Sequence, residues 1–140
     1  MSKAYLLDTS AIFAFTDNEE GADLVEELLD KARREQIALH ISAMTAMEVY
    51  YVASGERGEE EANHLLLLVR ALPVRELALA DPLILPAAKF KASYRISVAD
   101  AWIAATAALH DLILVHKDPE FEPLNEVSLL PLPYRQKRRR

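Results

Sequence analysis

Short apolar runs alternate along the chain with longer segments in which apolar residues recur at helical spacing. Five runs have the length of strands: YLL (5–7), IALHIS (37–42), VRELAL (74–79), LILVH (112–116) and VSLLPL (127–132). The segments between them predict helices over 11–15, 19–35, 44–53, 56–72, 82–94 and 97–110. Continuous apolar strands are typical of a parallel sheet with helices on both faces. The pattern therefore predicts an α/β protein with three layers, α/β/α, around a short, mostly parallel sheet of four or five strands.

Capping residues and glycines predict where several helices begin and end. Asp8-Thr9-Ser10 offers N-cap residues to the first helix. Ser54-Gly55 is expected to end the helix over 44–53, and Asp81-Pro82 pairs an N-cap with a proline at the first helical position. The helix over 19–35 is predicted to place Leu24 and Leu28 on one buried face.

Length and composition favour one domain over 1–134, followed by a basic tail, RQKRRR, over 135–140. The chain of 140 residues is 51% hydrophobic, which is ample for a core. No apolar run approaches the ~20 residues of a membrane span, and the N-terminal sequence does not have the pattern of a secretory signal. Cysteine is absent, which excludes a disulfide or a thiolate metal site. We expect a cytoplasmic protein that does not contact a membrane.

The net charge of −6 argues against non-specific nucleic-acid binding by overall attraction. Two local segments are nevertheless basic, the tail and KFKASYR (89–95). Lys89, Lys91 and Arg95 are candidates to hold a phosphate backbone beside an acidic site. The alternative is that these three cations form an ordinary solvated helix face. The tail can likewise bind RNA or be a loose end.

Four carboxylates adjoin apolar sequence near one end of the predicted sheet. Asp8 follows the first strand directly, and Asp118 follows the fourth. Glu48 lies about two turns into the helix after the second strand, and Asp100 lies in the first turn of the helix before the fourth. Ligands of open α/β sheets bind beyond the carboxyl ends of the strands. We therefore expect these four side chains to project towards one edge of the sheet.

Each of these acids also has a purely structural interpretation. Asp8 can cap the following helix, and Glu48 can be a solvated helix residue. Ser97-x-x-Asp100 resembles a capping box with Asp in place of Glu, and Asp118 can begin a turn with Pro119. Taken together, however, four buried carboxylates would repel one another unless a cation lay among them. Oxygen ligands without cysteine suit a hard divalent ion, Mg²⁺ or Mn²⁺.

Four segments of the chain resemble the PIN-domain family of Mg²⁺/Mn²⁺-dependent ribonucleases, particularly the VapC-like toxins of VapBC toxin–antitoxin pairs. They are LLDTSAIFAF (6–15), SAMTAMEVYY (42–51), SVADAWIAATA (97–107) and LVHKDPEFEPL (114–124), in the family's order. The resemblance implies a PIN-like fold and hydrolysis of RNA phosphodiester bonds with Mg²⁺ or Mn²⁺. It also implies an antitoxin partner and a homodimer.

Carried over by position, the resemblance makes Asp8, Glu48, Asp100 and Asp118 the catalytic and metal-binding residues, with Ser10 helping to order them. The chain departs from the family at two positions. His116 stands where Thr or Ser is frequent, and Glu120 stands where a second Asp is common. His116 either contacts substrate phosphate or has a structural role at the end of its strand.

Two other function classes compete with this interpretation. A degenerate PIN scaffold would bind a partner without catalysis. A phosphotransfer domain of the phosphatase type would need a second Asp where this chain has Ser10. One of the receiver type would use Asp81 after the third strand and an acidic pair near the first strand, but no acidic pair accompanies Asp8.

Overall fold

A computed structural model describes residues 3–134, in which all strands lie in one parallel sheet. The strand order is β3-β2-β1-β4-β5, and every neighbouring pair is parallel. The strands are β1 (Ala4–Leu7), β2 (Ala38–Ser42), β3 (Arg75–Leu77), β4 (Ile113–His116) and β5 (Leu129–Pro131).

Helices cover both faces of this sheet. They are α1 (Thr9–Thr16), α2 (Ala22–Arg33), α3 (Ala43–Arg57), α4 (Glu59–Ala71), α5 (Ile84–Ser93) and α6 (Val98–Leu109), with 3-10 turns at Asp81–Leu83 and Pro119–Phe121. The buried residues form two clusters, one packed among α1 to α4 and the other among α5 and α6. The predicted three-layer α/β/α fold is confirmed.

Alternation along the two central strands divides the core between these layers. Leu6 on β1 pairs with Leu114 on β4, and both belong to the cluster on the α5–α6 face. Leu7 pairs with Val115, and both belong to the cluster on the opposite face. All four side chains are fully buried, so strands this short still supply core to both layers.

The predicted end of α3 at Ser54-Gly55 is wrong. The helix continues through Gly55 to Arg57, and the break comes at Gly58, which takes a φ of +90°. A Cβ at Gly55 would meet nothing within 4 Å, so that glycine neither crowds the helix nor ends it. Gly58 takes the positive φ that glycine adopts at little cost and thereby separates α3 from α4. The helix predicted over 56–72 accordingly starts at Glu59.

Two further predictions, the N-cap role of Asp81 and the buried position of Leu24, differ from the structure. Asp81 does not cap α5, because it lies inside a 3-10 turn whose N-cap is Ala80. Pro86 is the third residue of α5, where the missing N–H would have no partner within the helix anyway. Leu24 of α2 is 43% exposed, and Val25 takes the buried position instead.

The chain order creates a crevice at one edge of the sheet. From β1 the chain builds outwards through β2 and β3, then returns to the other side of β1 to form β4 and β5. The carboxyl ends of β1 and β4 therefore flank the point where the winding reverses, which is the usual ligand-binding position in such sheets. No helix in residues 3–134 is long and apolar enough to cross a membrane. The division into a domain over 1–134 and a basic tail stays a prediction, and the tail lies outside the described residues.

Candidate metal centre

The ends of β1 and β4 bring two of the predicted acids to the same edge of the sheet. Asp8 follows β1 directly, and its amide donates to the Val115 carbonyl on β4 at 2.9 Å. Asp118 comes two residues after the end of β4. Glu48 comes from α3 and Asp100 from the first turn of α6, and repulsion from Glu48 contributes to the raised pKa of both Asp8 and Asp100.

Asp8 is buried and uses its two carboxylate oxygens differently. Oδ2 accepts hydrogen bonds from the Ser10 amide at 3.1 Å and from the Ser10 hydroxyl, so Asp8 does cap α1. Oδ1 is also buried, but within the described residues it has no hydrogen-bond partner. Burial raises the pKa of Asp8 to about 6, although the Ser10 hydrogen bonds oppose the shift. An unsatisfied buried carboxylate oxygen is costly unless a cation or a donor fills the position.

Asp100 is buried at the start of α6, but the cap of that helix is provided by a different side chain. Ser97 Oγ accepts from the Asp100 amide at 3.0 Å, as in the first half of a capping box. Within residues 3–134 the Asp100 carboxylate accepts no hydrogen bond, so the second half of the box is not formed. Ser97 therefore caps α6, and the Asp100 carboxylate is free to serve a ligand.

The Asp100 carboxyl has the most strongly raised acidic pKa of the site, at about 8. Burial is the main cause, and repulsion from Asp8, Asp118, Glu48 and Glu120 follows in that order. Every one of these causes raises the pKa. The four predicted acids are therefore close enough to interact electrostatically.

Glu120 joins the cluster, beside Asp118. The two residues flank Pro119 at the start of the 3-10 turn, where Asp118 Oδ1 accepts from the Glu120 amide at 2.9 Å. One carboxylate oxygen each from Asp100, Asp118 and Glu120 lie within 4.8 Å of one another. Three oxygens at this separation can ligate a single divalent ion.

Glu48 is held in place by hydroxyl groups. The Thr9 hydroxyl donates to Glu48 Oε1 at 2.7 Å and lies 3.0 Å from Thr45 Oγ1. The Tyr51 hydroxyl lies 3.4 Å from Glu48 Oε2. Glu48 is half-buried, which contradicts the alternative of an ordinary solvated helix residue.

Two side chains accept hydrogen bonds from consecutive backbone amides, those of Lys117 and Asp118. Ser10 Oγ accepts from the Lys117 amide at 2.9 Å while its hydroxyl donates to Asp8, so Ser10 links the ends of β1 and β4. His116 Nδ1 accepts from the Asp118 amide at 3.1 Å. The Lys117 ammonium is mostly buried and pairs with Glu19 at 3.1 Å.

His116 is fully buried behind the Asp118 turn, with its ring edge-to-face against Phe121 at 5.3 Å between centroids. Burial lowers the pKa of His116, so the ring is neutral and the accepting Nδ1 leaves the proton on Nε2. A ring with no exposed surface cannot contact a substrate phosphate without rearrangement. The geometry therefore favours the structural interpretation of His116 over the substrate-binding one.

The three predicted phosphate-binding cations are not gathered at the carboxylates. Lys89, Lys91 and Arg95 are all exposed. Lys89 borders a cavity with Ala108, which is eight residues along α6 from Asp100, or about 12 Å at 1.5 Å per residue. Lys91 is nearer, in a cavity lined by Val98 and Ala101. Their part in RNA binding stays a prediction.

The site predicted from the sequence omits Thr9, Thr45, Tyr51 and Lys117, and it names Glu120 without assigning it a role. Tyr51 could have been identified, because it stands three residues after Glu48 and so shares its helix face. Glu120 could also have been assigned a role, since Asp-Pro-Glu begins a tight turn that keeps two carboxylates together. The Thr9–Glu48 and Lys117–Glu19 contacts join residues 39 and 98 positions apart, which no local pattern reveals.

Comparison with known proteins identifies the family. Residues 5–127 match the family described as PIN domain. The chain belongs to the PIN-domain family. No curated protein sequence matches this PIN domain.

Solved structures with the same fold are available at low sequence identity. VapBC2 from Rickettsia felis, bound to a DNA fragment from their promoter, gives a TM-score of 0.76 at 17% identity, over 93% of this chain and 99% of that one. DNA-bound VapBC from Salmonella typhimurium gives 0.73 at 21%, over 94% and 98%. VapC20 from Mycobacterium tuberculosis, a sarcin-ricin loop cleaving toxin, gives 0.67 at 14%, over 86% and 95%. At these identities the likeness shows that this PIN domain shares their fold.

Proposed function

We propose that this PIN domain is a divalent-metal-dependent ribonuclease and the toxin of a toxin–antitoxin pair. One observation carries the proposal: at the β1–β4 crevice, carboxylates from five positions repel one another, and one buried oxygen, Asp8 Oδ1, has no partner in the described residues. Family membership adds support, as does the fold shared with structures described as VapBC complexes and a cleaving toxin.

The donor set fits Mg²⁺ or Mn²⁺. Every candidate ligand atom is a carboxylate oxygen, which is the ligand type that these ions prefer. Asp100, Asp118 and Glu120 would hold one ion, with Glu120 standing where a second Asp is common in the family. Asp8 Oδ1, which is buried without a partner in the described residues, would be a further ligand, as the resemblance implies. When bound, the ion activates water for attack on a phosphodiester and neutralises the charge that develops on the phosphate and leaving oxygen.

The chain's own residues prepare the site for this chemistry. Ser10 fixes Oδ2 of Asp8, so that Oδ1, which has no partner in the described residues, would be left for the ion. Glu48 is anchored at Oε1 by Thr9, and its Oε2, which lies 3.4 Å from the Tyr51 hydroxyl, would orient the attacking water or bind a second ion. His116 is buried behind the turn and is therefore not placed to act as a proton acceptor.

The proposed protein partner is inferred from the similar structures. Two of them are VapBC complexes, and a third is described as a toxin–antitoxin complex from Klebsiella pneumoniae. We therefore propose a cognate antitoxin for this chain. An arginine from that antitoxin would form bidentate hydrogen bonds with the carboxylates and replace the charge of the ion. A structure of the inhibited complex that shows no antitoxin contact near Asp8 or Asp100 would refute the proposed arginine contact. RNA as substrate, homodimerisation and a cytoplasmic location stay predictions.

The competing function classes can be compared with the site. Asp81 is exposed in the turn after the edge strand β3, away from the β1–β4 crevice, so nothing supports a receiver-type domain. A degenerate scaffold would have the same geometry as an enzyme, so the cleavage assay described next distinguishes the two.

Cleavage of RNA tests the proposed function. Purified protein should cleave RNA in Mg²⁺ or Mn²⁺ and stop when EDTA is added. Asp8→Asn should lower the rate by orders of magnitude while the fold persists, because Asn keeps the size and the Ser10 contacts but removes the charge. Activity that survives EDTA and is equal in the variant would refute the metal mechanism.

A further inference from the structure

One exposed aromatic ring borders the carboxylate cluster. Tyr51 lies on α3, one turn after Glu48, and its side chain is 51% exposed. Its hydroxyl lies 3.4 Å from Glu48 Oε2, so the ring stands at the mouth of the site. None of the roles assigned above to the carboxylates requires an aromatic ring at this position.

The Tyr51 ring also forms one wall of a groove between α3 and α4, hereafter the α3–α4 groove. The groove has a volume of about 370 Å³. Its apolar part includes Met47, which is 61% exposed, and its far end is closed by Arg70 and Glu76, which form an ion pair at 3.2 Å. The groove thus runs from the carboxylates, along exposed apolar side chains, to a pair of hydrogen-bonding groups.

Charge alone cannot hold RNA at this edge of the molecule. Electrostatic attraction to phosphates supplies most non-specific nucleic-acid binding, but this chain has a net charge of −6 and the site adds carboxylates that repel one another. Several described cations are paired with carboxylates: Lys117 with Glu19, Arg57 with Asp17 and Arg70 with Glu76. Stacking of a base on an aromatic ring is a common further source of binding energy for a single strand.

We propose that the α3–α4 groove is a nucleobase subsite, in which the base next to the scissile phosphate stacks on Tyr51. A phosphate held over the carboxylates places its neighbouring base at the mouth of the site, where the Tyr51 ring is exposed. The Arg70–Glu76 pair at the far end offers both donors and acceptors to a base edge. This inference rests on the proposed nuclease function of the same site.

RNA binding by cleavage-inactive protein tests the subsite. The Asp8→Asn protein and its Tyr51→Ala and Tyr51→Phe derivatives are titrated with a short single-stranded RNA, and with the same RNA carrying one abasic position at each site in turn. Tyr51→Ala should weaken binding by about 5- to 150-fold, the usual effect of losing one stacked base. Tyr51→Phe should bind within about threefold of its parent, because stacking needs the ring and not the hydroxyl.

The abasic series makes the assignment specific. An RNA that lacks the base stacked on Tyr51 should bind the parent protein more weakly than intact RNA does. The same abasic RNA should bind the Tyr51→Ala protein no more weakly than intact RNA does. Leu67→Ala is the matched control, because Leu67 is 72% exposed on α4 and does not line the groove. It should leave RNA binding unchanged, and all variants should melt close to their parent.

The subsite and the nuclease function can fail separately. If wild type cleaves RNA but Tyr51→Ala binds as its parent does, the subsite is refuted and the nuclease function stands; a groove that serves a protein partner would give this result. If Tyr51→Phe binds as weakly as Tyr51→Ala, Tyr51 acts through Glu48 and the stacking proposal is refuted. Base-dependent binding lost in Tyr51→Ala, without any cleavage by wild type, would support the subsite and refute the nuclease. An absence of RNA binding would refute the subsite, and an absence of cleavage by wild type as well would refute the nuclease function.

Discussion

At the scale of single residues, the site is built from side chains that each satisfy one structural need and leave one group for a ligand. Asp8 caps α1 with Oδ2 and presents Oδ1, and Asp118 accepts from its own turn while approaching Asp100. The structural interpretations of Asp8 and Asp118 are therefore correct, and each leaves a carboxylate oxygen for the proposed ion. Sequence alone could not decide between them, because a carboxylate has two oxygens and the pattern of residues does not say which is used.

His116 illustrates how a departure from the family pattern is accommodated. Its Nδ1 accepts from the Asp118 amide, and its ring packs edge-to-face against Phe121 in the same turn. A neutral histidine can therefore fix the position of Asp118 from behind. The sequence shows the substitution but not which ring atom is used or that the ring is buried.

Substitution of His116 should change the position of Asp118 in a way that depends on the acceptor. His116→Asn keeps an acceptor close to the position of Nδ1, whereas His116→Leu keeps apolar bulk and removes it. We expect His116→Leu to lose about 10- to 100-fold in Mn²⁺ affinity, as is usual when a group supporting a metal ligand is removed, and His116→Asn to lose less. Calorimetric titration of both proteins with Mn²⁺ measures the difference. Equal affinities in wild type and both variants would mean that the Asp118 amide needs no acceptor.

At the scale of elements, the sequence predicts whether a segment is a helix or a strand better than it predicts the residues at which the segment begins and ends. The strands were located by their apolar runs, and the acids that follow β1 and β4 were located with them. The end of α3 was misplaced because Gly55 and Gly58 are equally plausible helix terminators in the sequence, and only the backbone shows that Gly58 takes the positive φ. Asp81-Pro82 was misread because a proline at the first position suits a 3-10 turn as well as an α-helix.

In helix α6, Ser97 forms the N-cap, and the proposed ion would bind to Asp100. Ser97→Ala should cost about 1 kcal/mol, the usual value of a lost N-cap, both in EDTA and in Mg²⁺. The stabilisation by metal should stay the same as in wild type, because the Asp100 carboxylate does not take part in the cap. Urea unfolding under the two conditions measures both quantities. If Ser97→Ala loses the response to metal as well, the cap and the carboxylate act as one unit.

At the scale of the whole molecule, the reversal of winding at β1 and β4 explains why acids distant in sequence meet. Asp8 and Asp118 are 110 positions apart, yet they follow neighbouring parallel strands. This part of the site could be predicted, since it depends on chain order and apolar runs. The groove beside Tyr51 could not, because it depends on the packing of α3 against α4.

The raised acidic pKa values should make the metal-free protein less stable as pH rises. The carboxyls of Asp8 and Asp100 have folded pKa values of about 6 and about 8, both above the ordinary value of 3.8. Between 3.8 and the folded pKa the unfolded chain has lost a proton that the native protein keeps, so stability falls with rising pH. The slope is at most ~1.4 kcal/mol per pH unit for each such group, and the loss is complete above the folded pKa.

Urea unfolding in EDTA between pH 5 and pH 8 should therefore show declining stability for wild type. Asp100→Asn should flatten the upper part of this curve, because the repelled and buried charge is removed. A wild-type curve that rises over this range would contradict the pKa shifts on which the expectation depends.

Thermal melts of wild type and Asp100→Asn, each in EDTA and in saturating Mg²⁺, test most directly whether the carboxylates form a metal centre. In EDTA the variant should be as stable as wild type or slightly more so, because a buried repulsion is relieved. Mg²⁺ at ~100 times its dissociation constant should add about 2.7 kcal/mol to wild type and much less to the variant. A variant that is less stable than wild type in EDTA and equally stabilised by Mg²⁺ would mean that Asp100 serves the helix and not an ion.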